Sequence, residues 1–180
     1  MTFAYDLRHW RTHDEFRAHL AAHDSAVCSW VTKVVIHHTV RPTIADWRGA
    51  TTMDGMKRYY ESLGWDSGPH LFVVAGSPTP ANDGIWQMTP LSMRGIHANR
   101  CNPISIGIEV VGYYDRVGWS YRTAEVTLYT IAHFLRWRTL SADVVVGHRD
   151  CPGANKTCPG TAIQLPTVRD DIRHVMARLS

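Results

Sequence analysis

Apolar positions in this chain follow two rhythms, and the change from one to the other marks out its elements. Residues 31–39 are β-branched and apolar and predict a central strand that ends in two histidines, His37 and His38. Similar runs predict strands over 71–75, 85–88, 104–112 and 142–146. The stretch 76–84 is rich in Pro, Gly, Ser and Asn, so the strands on either side of it should form a hairpin with a long tip. Helical spacing predicts the other elements. Thr12 followed by Glu15 has the form of a capping box and starts a helix that runs to about His23. Thr51 or Thr52 can cap a second helix through Leu63, with Gly64 as its stop. Thr123 is expected to cap a long helix over 124–139, whose Val126, Tyr129, Ile131, Phe134, Leu135 and Trp137 include an apolar stripe. Thr167, with Asp170 after it, is expected to cap a last helix to about Leu179. Residues 40–50 and 92–103 read as irregular. The resulting order is helix, strand, helix, three strands, helix, strand, loop, helix. It predicts an α/β fold, a central mixed sheet flanked by helices.

Composition narrows the class. The 180 residues are 44% hydrophobic and 19% charged, which suits one domain over 1–180 with a substantial core. No repeat and no linker long enough to divide the chain is present. The formal net charge of +3 comes from no run of Lys and Arg, so no nucleic-acid partner is expected; the mild excess suits an anionic surface. No window approaches the roughly 18 apolar residues of a membrane span, and membrane insertion is not expected. The first ten residues lack a basic stretch followed by an apolar one, so synthesis in the cytosol is expected, with release by other means if the protein acts outside. A monomer is expected.

The chemistry concentrates in one loop. Gly147-His148-Arg149-Asp150-Cys151 through Lys156-Thr157-Cys158-Pro159-Gly160 brings a His, a Lys and two Cys together just past a strand end, where irregular backbone tends to carry function. Catalytic zinc takes three N or S protein ligands in tetrahedral geometry and leaves one position for water. His148 and Cys158 are two such ligands, and the nine residues between them let the loop turn back on itself. The third should lie at the end of another central strand, where His37 and His38 stand. Neighbours on a strand face opposite ways, so only one can reach the metal, and these residues alone do not say which. Glu109 lies inside a strand that otherwise reads as core, and a buried carboxylate is costly unless it is paired or used.

In order along the chain come Val35-Ile36-His37-His38-Thr39, Gly64-Trp65, Gly68-Pro69-His70-Leu71-Phe72-Val73, Gly95-Ile96-His97-Ala98 with Asn102, Ser105-Ile106-Gly107-Ile108-Glu109-Val110-Val111-Gly112, and the loop from Gly147 to Gly160. This series, over residues 31–160, resembles the zinc-dependent N-acetylmuramoyl-L-alanine amidases, a family that includes many phage endolysins and is related to the peptidoglycan recognition proteins. The resemblance implies one zinc held by His37, His148 and Cys158, with His38 in a structural role. It implies that Lys156 stabilises an oxyanion and that Glu109 moves the proton of the attacking water, as in the cytosolic recycling amidases of the family. Several relatives carry a Tyr where this chain has Pro69, which shifts weight from a tyrosine hydroxyl to Glu109.

The substrate implied is peptidoglycan or a muropeptide, cut between N-acetylmuramic acid and L-alanine. His97, Arg94, Asn99 and Trp65 are the substrate-side candidates. Trp47 and Trp86 are weaker ones, since single tryptophans more often pack. His70 reads as a core histidine and Cys28 as a small buried hydrophobe. Cys101 and Cys151 are taken as free thiols, pairing after export being the alternative. Two further readings stand beside a phage endolysin or a recycling amidase. One is a recognition module that binds muropeptides without cutting them. The other is a structural zinc site with Cys151 as fourth ligand.

Overall fold

The computed structural model describes residues 2–179; Met1 and Ser180, the ends of the expected 1–180 unit, lie outside the described residues. Six strands form one sheet: β1 (Arg8–Trp10), β2 (Lys33–His38), β3 (Leu71–Val74), β4 (Gly84–Gln87), β5 (Ser105–Val110) and β6 (Val145–Gly147). Their order is β1-β4-β3-β5-β2-β6. β3, β5, β2 and β6 run parallel, while β4 and β1 add an antiparallel edge. The hairpin of β3 and β4 has the long tip expected.

β1 was not foreseen. Three residues are too few for an alternating pattern, and the strand exists only because β4 offers a free edge. Residues 142–144 form a 3-10 turn, so β6 is shorter than predicted.

Alternation along the strands separates two faces. Val34, Ile36, Ile106, Ile108, Val110 and Val145 point to one face and meet helices α1 (His13–Ala21), α3 (Tyr121–Trp137) and α4 (Leu165–Arg178) in the main core. Each fully buried aliphatic side chain there contributes about 1.5–3 kcal/mol. The other face carries helix α2 (Ala50–Ser62), whose Met53 and Tyr60 pack on Phe72, Val74, Trp86 and Met88. Phe3 and Trp47 pack on the same cluster, and further along that face the loops around Cys101 and Cys151 pack on Val35.

Three helix starts differ from the sequence reading. Ser120, not Thr123, caps α3: its Oγ accepts from the Thr123 N–H at 3.1 Å. Gly49 stands at the cap of α2, and Gln164, followed by Leu165 and Pro166 in the first turn, stands before α4. Proline lacks the N–H that a cap would satisfy, so α4 starts earlier than the threonine signal suggests. At α1 the expected cap is present, with Thr12 Oγ1 accepting from the Glu15 N–H at 3.1 Å.

Candidate metal centre

Register builds the site. In the parallel pairing of β2 with β5, His37 lies opposite Glu109, so both point to the face that α2 leaves partly open. In the pairing of β2 with β6 the last rung is Ile36 with Gly147, which places His148 one step past the strand and beside His37. The His37 and His148 rings stand 4.7 Å apart. All these residues sit at the carboxyl ends of parallel strands, where sheets of this kind form their crevices.

Cys158 returns to them because Arg149 laces its loop together. The Arg149 guanidinium donates to the carbonyls of Thr157, Gly160 and Ile163, and its backbone N–H donates to the Cys158 carbonyl at 2.8 Å. Asp150 accepts from the Gly147 N–H and holds the turn at His148. One ligand atom from each of His37, His148 and Cys158 lies within 4.8 Å of the others, and all three residues are buried. Cys158 Sγ is 3.7 Å from His37 Nδ1 and accepts the His38 backbone N–H at 3.4 Å. The His38 ring faces away, its Nδ1 accepting from the Tyr114 N–H. Adjacent strand positions thus divide as alternation requires: His37 joins the cluster and His38 supports the far side.

Burial disfavours charge on this cluster. It pushes His37 well below the usual histidine range, with His97 adding to the effect. Burial, then the Lys156 ammonium, lowers His148 to about 4. Burial raises the Cys158 thiol to about 12. Glu109 is pushed up to about 8 by burial, with Lys156 acting against it. Its Oε1 is 4.0 Å from His37 Nδ1, and its Oε2 is buried with no hydrogen-bond partner. An unpartnered buried carboxylate oxygen beside two neutral imidazoles and a thiol is the donor set of a tetrahedral metal with a water next to it. The residues fit zinc. Binding it would require Cys158 to release its proton.

The cluster lies at the floor of a groove of about 800 Å³, whose walls include Tyr59, Tyr60, Trp65, Pro69 and Lys156. A second groove of about 400 Å³ continues from it past Trp65, Asn99 and Asn155. Lys156 and Asn155 border both grooves. Of the substrate-side candidates, Trp65 stands between the grooves, stacked on Tyr60 at 5.2 Å, and Asn99 lines the smaller one. Arg94 does not reach either groove: it donates to the Pro103 carbonyl and lies over the Trp30 ring. Trp47 and Trp86 are buried in the core, their indole N–H groups donating to the Asn82 carbonyl. His97 is buried against His37, 3.0 Å from it. Tyr60 was not foreseen as a site residue. The stripe Met53, Met56 and Tyr60 has helical spacing and is the signal that it faces the sheet.

The cysteines correct the sequence reading. Cys101 and Cys151 are not free: they form a disulfide. Nothing in their local sequence pairs two residues fifty positions apart; the sheet does so by carrying both loops on one face. Cys151 therefore offers no thiolate to the metal, and the structural four-ligand reading loses its fourth ligand. Cys28 is free and buried as expected.

Comparison with known proteins follows the same lines. Residues 29–161 match the family described as N-acetylmuramoyl-L-alanine amidase. A curated relative, peptidoglycan-recognition protein SC2 of Drosophila simulans, is 26% identical over 150 residues, spanning 78% of this chain and 78% of the relative. Among solved structures, the N-acetylmuramoyl-L-alanine amidase LysC from Clostridium intestinale superposes with a TM-score of 0.64 at 15% identity, covering 96% of this chain and 93% of that one. Drosophila PGRP-LB superposes with a TM-score of 0.60 at 17% identity, covering 89% and 82%. At these identities the structural matches speak for the fold alone.

Proposed function

Since the chain belongs to the N-acetylmuramoyl-L-alanine amidase family, we propose that it is a zinc hydrolase that cuts the amide between N-acetylmuramic acid and the L-alanine of the peptidoglycan stem peptide. The observation that carries this reading is the convergence of His37, His148 and Cys158 beside the unpartnered Glu109 Oε2 at the floor of an open groove. His37, His148 and Cys158 would hold the zinc, which supplies a Lewis acid and lowers the pKa of water.

The chain's own residues do the rest. Glu109, in its ionised form beside His37, accepts the proton of the attacking water and passes it to the leaving amine. Lys156, on the rim of both grooves, is the cation that stabilises the developing oxyanion. Trp65 and Asn99 contact the substrate along the grooves. The Cys101–Cys151 disulfide favours work in an oxidising compartment over a cytosolic recycling role, which suits a phage endolysin acting on the wall after release.

The test is digestion of purified peptidoglycan. The zinc-loaded protein is expected to release free L-alanyl amino termini, and chelation or Cys158→Ser to abolish the release. Absence of new amino termini with the loaded wild type, together with retained binding to the wall, would instead mark a recognition module.

A further inference from the structure

His97 was expected on the substrate side. Its contacts give it another task. Both its ring nitrogens are engaged: Nε2 lies 3.3 Å from the Ser105 carbonyl oxygen and 3.5 Å from Ser105 Oγ, and Nδ1 lies 3.0 Å from His37 Nε2. Ser105 Oγ spends its own proton on the Cys101 carbonyl at 2.6 Å. Both Ser105 atoms can therefore only accept, and His97 Nε2 must be the donor. In a neutral ring the other nitrogen, Nδ1, then has a lone pair and accepts. His37 must donate through Nε2, which leaves the lone pair of His37 on Nδ1. That is the nitrogen facing Cys158 Sγ at 3.7 Å and Glu109 Oε1 at 4.0 Å.

The rest of the neighbourhood is built to hold His97 in place. Asn102 Oδ1 accepts from the backbone N–H groups of His97 and Ala98 at 3.0 and 2.6 Å. The disulfide of Cys101 anchors the same turn. Gly107 leaves the space that the ring fills: a Cβ there would lie 2.6 Å from His97 Cγ.

We infer that His97, which also lines both grooves, is a positioning residue for the metal, fixing the tautomer and ring orientation of His37 through the relay Ser105–His97–His37. A ligand histidine whose free N–H is held in this way binds metal more tightly, and loss of the holder typically costs 10–100-fold in affinity. The inference rests on the proposed zinc site.

The experiment is competition for zinc between a chromophoric chelator and the full-length protein as wild type, His97→Ala and His97→Asn. The Asn side-chain oxygen can sit near the position of Nδ1 and accept from His37. His97→Ala is expected to weaken zinc binding about 10–100-fold, with most of it restored in His97→Asn. Peptidoglycan hydrolysis by His97→Ala should recover as zinc is raised, which loss of a substrate contact would not permit. Nitrogen-15 NMR of zinc-loaded wild type should show His37 protonated at Nε2 and His97 also at Nε2. Equal zinc affinity in wild type and His97→Ala, or a proton on His37 Nδ1, overturns the inference. Wild type that binds no zinc at all overturns the proposed metal site, and this inference with it.

Discussion

Glu109 shows how much one position can carry. It is the one acidic residue in a strand whose other side chains are apolar or small, and that contrast is visible in the sequence. Its consequence is not, because the cost of burial depends on what lies opposite. Here His37 lies opposite, and Oε2 is left without a partner. Glu109→Gln keeps the volume and removes the base. Zinc affinity measured by chelator competition should stay near the wild-type value, while hydrolysis falls by about 10²–10⁴. Full activity in that variant would remove Glu109 from the proton path. His37 and His38 make the complementary point. Alternation says that they part company, but only the register with β5 and β6 says which one meets His148.

At the scale of elements, the long strands and helices were legible because hydrophobic periodicity is local. The misses arise where the deciding contact lies outside the local stretch. Ser120 outcompeted Thr123 as a cap because both carry a hydroxyl, and the choice between them depends on where the chain arrives from the loop. β1 is created by its neighbour. The disulfide ties the turn that carries His97 to the loop that carries His148, which no periodicity could indicate. By the chain-entropy account, closing a loop across a sequence separation of 50 stabilises by about 4 kcal/mol. The double variant Cys101→Ser, Cys151→Ser should therefore unfold at clearly lower denaturant concentration than wild type, and reductant should shift wild type the same way while leaving the variant unmoved. Identical denaturation midpoints with and without reductant would mean that the bridge contributes nothing.

Six histidines are buried among the described residues. His70 is held as a neutral ring, accepting from the Gly107 N–H and donating to the Met93 carbonyl, and burial lowers it to about 4. His133, between α1 and α3, is lowered to about 4 by burial and by His13. A histidine whose folded pKa lies below its unfolded value of 6.5 takes up its proton more readily when unfolded. The stability it contributes is present above pH 6.5 and is lost as pH falls toward 4. For His70 that loss is roughly 3 kcal/mol. Urea denaturation of the chelator-treated protein should show stability declining between pH 6.5 and 4, with a shallower decline in His70→Gln. An unchanged slope in that variant would mean that His70 is charged in the native state.

The sequence by itself determined the α/β class, the strands that hold the site and the residue types of a candidate metal centre. Apolar periodicity and donor chemistry are properties of short stretches, so they can be read without a fold. The tertiary structure decided which of those residues meet. It set His37 opposite Glu109 by strand register, folded Cys158 back through the Arg149 contacts, joined Cys101 to Cys151, withdrew Arg94 from the grooves and turned His97 toward His37. Apart from the Arg149 contacts, which span 8 to 14 residues, each depends on a distance between parts of the chain far apart in sequence. Such distances are set by how the sheet is ordered and packed, and no local pattern encodes them.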